Sequence, residues 1–195
     1  MGYKFKTNGN MKDNVTFDLL NMILGGNHSS RLFSDLREKQ KLAYQVNSRL
    51  GFSDNSGVIS LYIKTTTDNA QTGEVSYDNL QKSINGFKNH VQKLVSENVS
   101  EEELENAKLN LKTRILNSAE LTADKNVSML DSLTSFYGIS KNNQALDLID
   151  KITIDDIKTS AGYAFSSNPT VSIVATKNTL ENNKDYINAL GKVVA

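Results

Sequence analysis

The chain has no cysteine, which excludes disulfides, thiolate zinc sites and a cysteine nucleophile outright. It has only two histidines. His28 is followed by Ser29-Ser30-Arg31-Leu32 and His90 by Val91-Gln92-Lys93-Leu94, so neither order of the H-E-x-x-H zinc motif is present. Both histidines are expected as capping or surface residues. No G-x-S-x-G, phosphate-loop or G-x-G-x-x-G pattern occurs, and the chain therefore shows no complete catalytic set. Charge of one sign is also missing. The 22 basic and 22 acidic residues cancel without long runs, which argues against a nucleic-acid or anionic-membrane surface. No apolar run approaches the roughly 18 residues of a membrane span, and no signal segment opens the chain. A soluble protein follows, with the cytoplasm as the default compartment. With a single proline and no Pro- or Ser-rich linker, residues 1–195 read as one domain, long enough to bury roughly 70% of its unfolded surface.

What is present is an orderly succession of periodic segments. Tyr3 to Thr7 alternates as a strand, with Asn8-Gly9-Asn10 as its turn. Asp13 to Leu24 is apolar on nearly every face, as in a buried helix, and Gly25-Gly26 is expected to end it in a left-handed conformation. Asn27 to Ser30 can cap the next helix, with Leu32, Phe33 and Leu36 inward. Ala43 to Phe52 alternates with period two, setting Tyr44, Val46, Ser48, Leu50 and Phe52 on one side, and Val58 to Thr66 completes a long antiparallel hairpin. Leu80, Ile84, Phe87, Val91 and Leu94 mark a helix that packs on something large. Ser100 and Glu103 fit a capping box opening a helix to about Asn117. Further helices are expected over Thr122 to Tyr137, Asn142 to Ile149, Thr153 to Phe165 and Thr179 to Leu190, with Val171 to Ala175 as a buried strand. The order is not an alternating parallel one. It gives an α+β fold, a two-layer sandwich of a mostly antiparallel sheet packed against helices.

The chemistry is concentrated between Ser29 and Val46. The chain has four arginines against 18 lysines, and two of the four, Arg31 and Arg37, fall in this stretch. A guanidinium offers a fixed fork of donors that lysine cannot copy. Arg37 stands near the end of a helix and Tyr44 at the start of a strand, with Lys39, Gln40 and Lys41 as the break. From spacing alone, Arg37 reads as an exposed helix charge and Tyr44 as a half-buried strand residue. The acidic run Glu101 to Glu103 reads as a helix N-terminus.

The run LGGNHSSRLFSDLREKQKLAYQV, Leu24 to Val46, resembles the signature of the C-terminal half of insulinase and pitrilysin type zinc peptidases, including mitochondrial processing peptidase. The segment EEELENAKLNLK after Ser100, the Ile152 to Phe165 segment and the late VSIVA follow the same family in the same order. The resemblance implies that zinc is held by a homologous N-terminal half and that no metal binds this chain. Two such halves would face each other around a chamber. By position, it implies that Arg37 holds carbonyls of an extended peptide and that Tyr44 binds the same substrate and donates to its oxyanion. The implied partners are the zinc-bearing domain or subunit and the peptide. With the zinc half missing, the chain is expected to be an excised C-terminal domain or one member of a pair, inactive alone. The rival reading is a non-catalytic peptide-binding or assembly scaffold.

Overall fold

Tyr3 and Phe5 are buried and Lys4 and Lys6 exposed, so the alternation of β1 (Gly2–Lys6) assigns it one apolar face. The same division continues in β2 (Ala43–Ser53) and β3 (Ser56–Thr65), which bury Val46, Ser48, Ile59 and Leu61. The structure, a computed structural model, describes residues 1–7, 9–53, 55–67, 75–117 and 141–191. Among these, the strands form one antiparallel sheet in the order β1-β3-β2. Helices cover its apolar face, giving the α+β architecture that the sequence indicates.

The first helix, α1 (Met11–Asn21), begins where the Asn10 side chain accepts from the Asp13 amide at 2.8 Å. It buries Val15, Phe17, Leu19 and Leu20, then widens into a π turn over Met22–Gly26. The two glycines do not stop it by turning left-handed. Among the described residues only Lys41, Gly9 and Gly191 have positive φ. Gly25 is instead required by contact, because a Cβ there would lie 2.6 Å from the Ser48 amide nitrogen and 3.0 Å from Leu32 Cδ1. Glycine lets the helix touch the back of β2. A second π turn spans Phe33–Lys39 and closes with the Gln40 amide donating to the Asp35 carbonyl at 2.9 Å.

Behind that turn runs α2 (Asn79–Ser96), whose buried stripe of Leu80, Ile84, Phe87, Val91 and Leu94 matches the sequence spacing. Its Gly86 lies so close to the second π turn that a Cβ would come within 2.5 Å of Leu36 Cδ2. Next comes α3 (Glu101–Asn117), opened by the expected capping box: Ser100 Oγ accepts from the Glu103 amide at 3.1 Å and the Glu103 carboxylate from the Ser100 amide at 3.0 Å. The fold continues through α4 (Lys141–Ile149) and α5 (Ile154–Ala164), the latter with a Thr153–Asp156 capping box.

Three expectations turn out differently or fall elsewhere. Val171 to Ala175 is not a buried strand: ladder pairing with β1 is confined to the single Gly2–Thr170 bridge, and Val174 is 99% exposed. Apolar, β-branched composition cannot make a strand where no ladder partner continues. The closing helix is two short ones, α6 (Lys177–Asn182) and α7 (Lys184–Ala189), broken at Asn183. That buried side chain donates to the carbonyls of Tyr77 and Thr179 at 3.0 and 2.9 Å. The helix expected over Thr122 to Tyr137 lies outside the described residues.

Two glycine substitutions separate contact from propensity. Gly25→Ala should destabilise the chain by about 1–3 kcal/mol in urea unfolding, since backbone atoms of β2 cannot yield easily. Gly162→Ala, in α5 with nothing within 4 Å of its added Cβ, should instead stabilise it by about 0.5–1 kcal/mol.

Candidate functional site

The helix–turn–strand unit from Arg31 to Val46 departs from regular geometry three times, and each departure sets a side chain. Arg37 lies in the last turn of the second π segment, exposed, with its guanidinium carbon 4.8 Å from the centroid of the Phe33 ring. Phe33 in turn meets the exposed His28 edge-on, 4.8 Å between centroids. Arg31 and Arg114 are each paired with an acid, whereas Arg37 forms no ion pair with a described residue. Lys41 follows at φ 52°, the left-handed residue that lets the chain leave the helix and enter β2.

The third departure is a bulge in β2. Ala43 pairs with Thr65 and Gln45 with Lys64, so Tyr44 is an extra residue in the ladder. Strict alternation would put Tyr44 on the face of Val46 and Ser48, and this is corrected by the bulge. Ala43 and Val46 are buried while Tyr44 and Gln45 are both exposed, Tyr44 at 74%. Its ring lies 5.9 Å from Lys64 Nζ, and its hydroxyl has no hydrogen-bond partner among the described residues. Further along, Leu50 is half-buried and Phe52 is 40% exposed, so the period-two prediction holds only in the middle of the strand.

Buried polar contacts fix this unit from behind. His90 on α2 is not the surface or capping residue expected of it. It is buried, with Nε2 2.7 Å from Asp35 Oδ2. A carboxylate only accepts, so Nε2 carries the hydrogen. Burial alone would raise the Asp35 carboxyl, but hydrogen bonds from Gln40 and His90, with the charges of His90 and Lys39, outweigh it and hold Asp35 below its ordinary 3.8. At the other end of the unit, Arg31 donates from Nε and Nη2 to the two oxygens of Glu103 at 2.6 and 2.8 Å. That bidentate pairing, against partial burial, keeps Glu103 below its ordinary 4.5. The Thr65 hydroxyl, 2.7 Å from the Leu42 carbonyl, ties the start of β2 to β3. Local sequence could not reveal the Asp35–His90 or Arg31–Glu103 contacts, because their partners are 55 and 72 positions apart.

Residues 1–111 match the family model described as the peptidase M16 inactive domain. The chain belongs to the peptidase M16 family, as one of its inactive domains. M16 relatives include an uncharacterised zinc protease of Rickettsia felis, 33% identical over 156 residues, which cover 80% of this chain and 35% of that protein. A second, the mitochondrial-processing peptidase subunit alpha-1 of Dictyostelium discoideum, is 35% identical over 86 residues, or 44% of this chain and 13% of that one. The chain thus spans about a third of the length of the first of these relatives. Among solved structures, an inactive peptidase domain from Bordetella parapertussis aligns with a TM-score of 0.64 at 20% identity, covering 87% of both chains. A protease from Helicobacter pylori gives a TM-score of 0.66 at 23% identity, over 84% of this chain and 37% of that one. These two likenesses establish the fold.

Zinc, which the names of M16 relatives imply, does not fit the described residues. No group of three or more His, Asp or Glu among the described residues could hold a metal, and the sequence has no zinc motif. No described helix is long and apolar enough to cross a membrane.

The depressed carboxyls make acid sensitivity predictable for this M16 domain. A carboxyl whose pKa is lowered by folding adds stability above its unfolded value, and that stability is lost as pH falls through the folded value. Thermal unfolding midpoints should therefore hold at neutral pH and decline from about pH 5 downward. Glu103→Gln should lower the midpoint at pH 7 and flatten the acid decline, measured by circular dichroism from pH 7 to 2.5.

Proposed function

We propose that this domain holds an extended peptide and assists its hydrolysis in a zinc peptidase whose metal is carried by another domain or subunit. The observation that carries the proposal is the β2 bulge. It lifts a phenol out of the ladder, leaves its hydroxyl without a hydrogen-bond partner among the described residues, and sets it on the strand that follows the helix bearing Arg37, whose guanidinium forms no ion pair with a described residue. Bulges recur beside active sites because they re-aim a side chain without moving the sheet. On this reading Arg37 binds backbone carbonyls of the peptide. Tyr44 donates to the scissile carbonyl oxygen as it becomes an oxyanion, where a donor is worth more than in the ground state. The family resemblance of residues Leu24 to Val46 supports the same two roles.

Residues 1–195 would then be a single C-terminal-type unit of a longer peptidase or one member of a pair, without turnover of its own. The zinc-protease names of the relatives and the subunit named in one of them support such pairing. A second reading, a non-catalytic peptide-binding or assembly scaffold, is favoured by the inactive-domain description of the matching family.

One experiment decides between them. In the full-length peptidase, or in the domain reconstituted with its zinc-bearing half, Tyr44→Phe should lower kcat about 10²–10³-fold with little change in KM, equivalent to about 2.7–4 kcal/mol of transition-state stabilisation. Arg37→Ala should chiefly raise KM. Unchanged peptide turnover in both variants would leave the scaffold reading.

A further inference from the structure

The chain as a whole is electrically balanced, but its sheet is not. The three strands contain Lys4, Lys6, Arg49 and Lys64 and no aspartate or glutamate. All four cations are exposed, and none forms an ion pair with a described residue. In the helical layer cations and acids are mixed, and Arg31, Lys108, Lys112 and Arg114 each have an acidic partner while Lys82, Lys88 and Lys93 form no ion pair with a described residue.

The register puts these cations on one surface, the face opposite the core. Lys6 stands beside Ser56, Lys4 beside Val58, Arg49 beside Ser60, and Lys64 beside Gln45. Down the middle runs the outward side of β3, where Val58 and Tyr62 are 40% and 49% exposed. The row from Ser56 to Lys64 is about 27 Å long at the usual strand rise. That row alternates Ser56 and Ser60 with the apolar Val58 and Tyr62 and ends in Lys64, with Lys4 and Lys6 on one flank and Arg49 on the other, and it has the length of a short extended peptide. At its Lys64 end it runs directly into Tyr44.

We infer that this open face docks an extended peptide segment bearing acidic side chains. Resting on the reading of Arg37 and Tyr44 given above, it makes acidic peptides the favoured substrates, their acids lying some residues from the bond held at Tyr44. Four cations spread over that length are too sparse for nucleic acid, whose strands carry a phosphate about every 3.4 Å. They match acids spaced every few residues along a peptide laid over Val58 and Tyr62.

The test is a fluorescence-anisotropy titration of the chain with labelled peptides of one framework carrying glutamates, glutamines or lysines, and with a single-stranded oligonucleotide of matched charge. The glutamate peptide should bind at least about tenfold more tightly than the glutamine peptide, and added salt should erase the difference. R49E combined with K64E should reverse the preference towards the lysine peptide. The neutral R49Q and K64Q pair, which adds no repulsion within the sheet, should abolish the preference with the unfolding midpoint unchanged. No measurable binding of the glutamate peptide, equal affinity for the glutamate and glutamine peptides, a preference that survives both double variants, or an oligonucleotide bound as tightly as the glutamate peptide would each overturn the proposal. Its failure is separable from that of the catalytic reading. Turnover that survives loss of Arg37 and Tyr44 removes their role and leaves the glutamate preference standing, whereas loss of that preference leaves the turnover result untouched.

Discussion

The back of β2 rests against the glycine end of the first helix, and the site takes its geometry from that crossing. Gly25 allows backbone to approach backbone there, and the Ser48 hydroxyl donates to the Asn21 side-chain oxygen at 2.6 Å, with both residues buried. A buried hydroxyl left without a partner is costly, so this bond admits one register of strand against helix. A strand slipped by one residue would turn every side chain to the other face. With Ser48 fixed inward, the ladder must absorb its extra residue nearer the start of β2, and Tyr44 is the residue displaced.

The helix before the strand is held with equal care. Consecutive residues of the second π turn meet α2 at positions one turn apart: Asp35 meets His90 through a hydrogen bond, and Leu36 meets Gly86 by close packing. Arg31, one turn earlier, is clamped to the capping carboxylate of α3. Glu103 therefore completes a helix cap and anchors the segment that carries Arg37. Arg37 and Tyr44, the two side chains proposed to act, are left loose. Among the described residues Arg37 has only the Phe33 ring beneath it and Tyr44 only the Lys64 ammonium beside it, the division of labour expected if a rigid scaffold presents these two groups to a ligand.

Much of this was legible in the sequence because it depends on near neighbours. The α2 stripe, the Ser100–Glu103 and Thr153–Asp156 caps and the β2–β3 hairpin all follow from spacing, since a helix turn or a two-residue period places the partners automatically. Family likeness singled out Arg37 and Tyr44, but periodicity put Tyr44 on the wrong face. A bulge adds a residue to the ladder, and nothing in the order Leu-Ala-Tyr-Gln-Val announces it. The burial of His90 was hidden for a different reason. On α2 it sits beside the apolar stripe, and only Asp35, contributed by a distant segment, makes an inward imidazole tolerable. Val171 to Ala175 shows the converse, a β-like composition that forms no strand because its neighbour pairs at one residue only.

A π turn winds more chain into each revolution than an α-helix does. The segment Phe33–Lys39 thus carries slack that ordinary coiling would expel, and removing one amino acid from it would let it rewind tightly. Groups inside the rewound stretch would then be reset by up to about 100° around the helix axis, the step one residue takes in an α-helix. Leu32 and the body of β2 lie outside the segment and could keep their seats while the guanidinium pointed elsewhere. The bearing of Arg37 is accordingly set by the length of this stretch as much as by its composition, and homologous chains differing there by a single residue would share the core and part company at the rim.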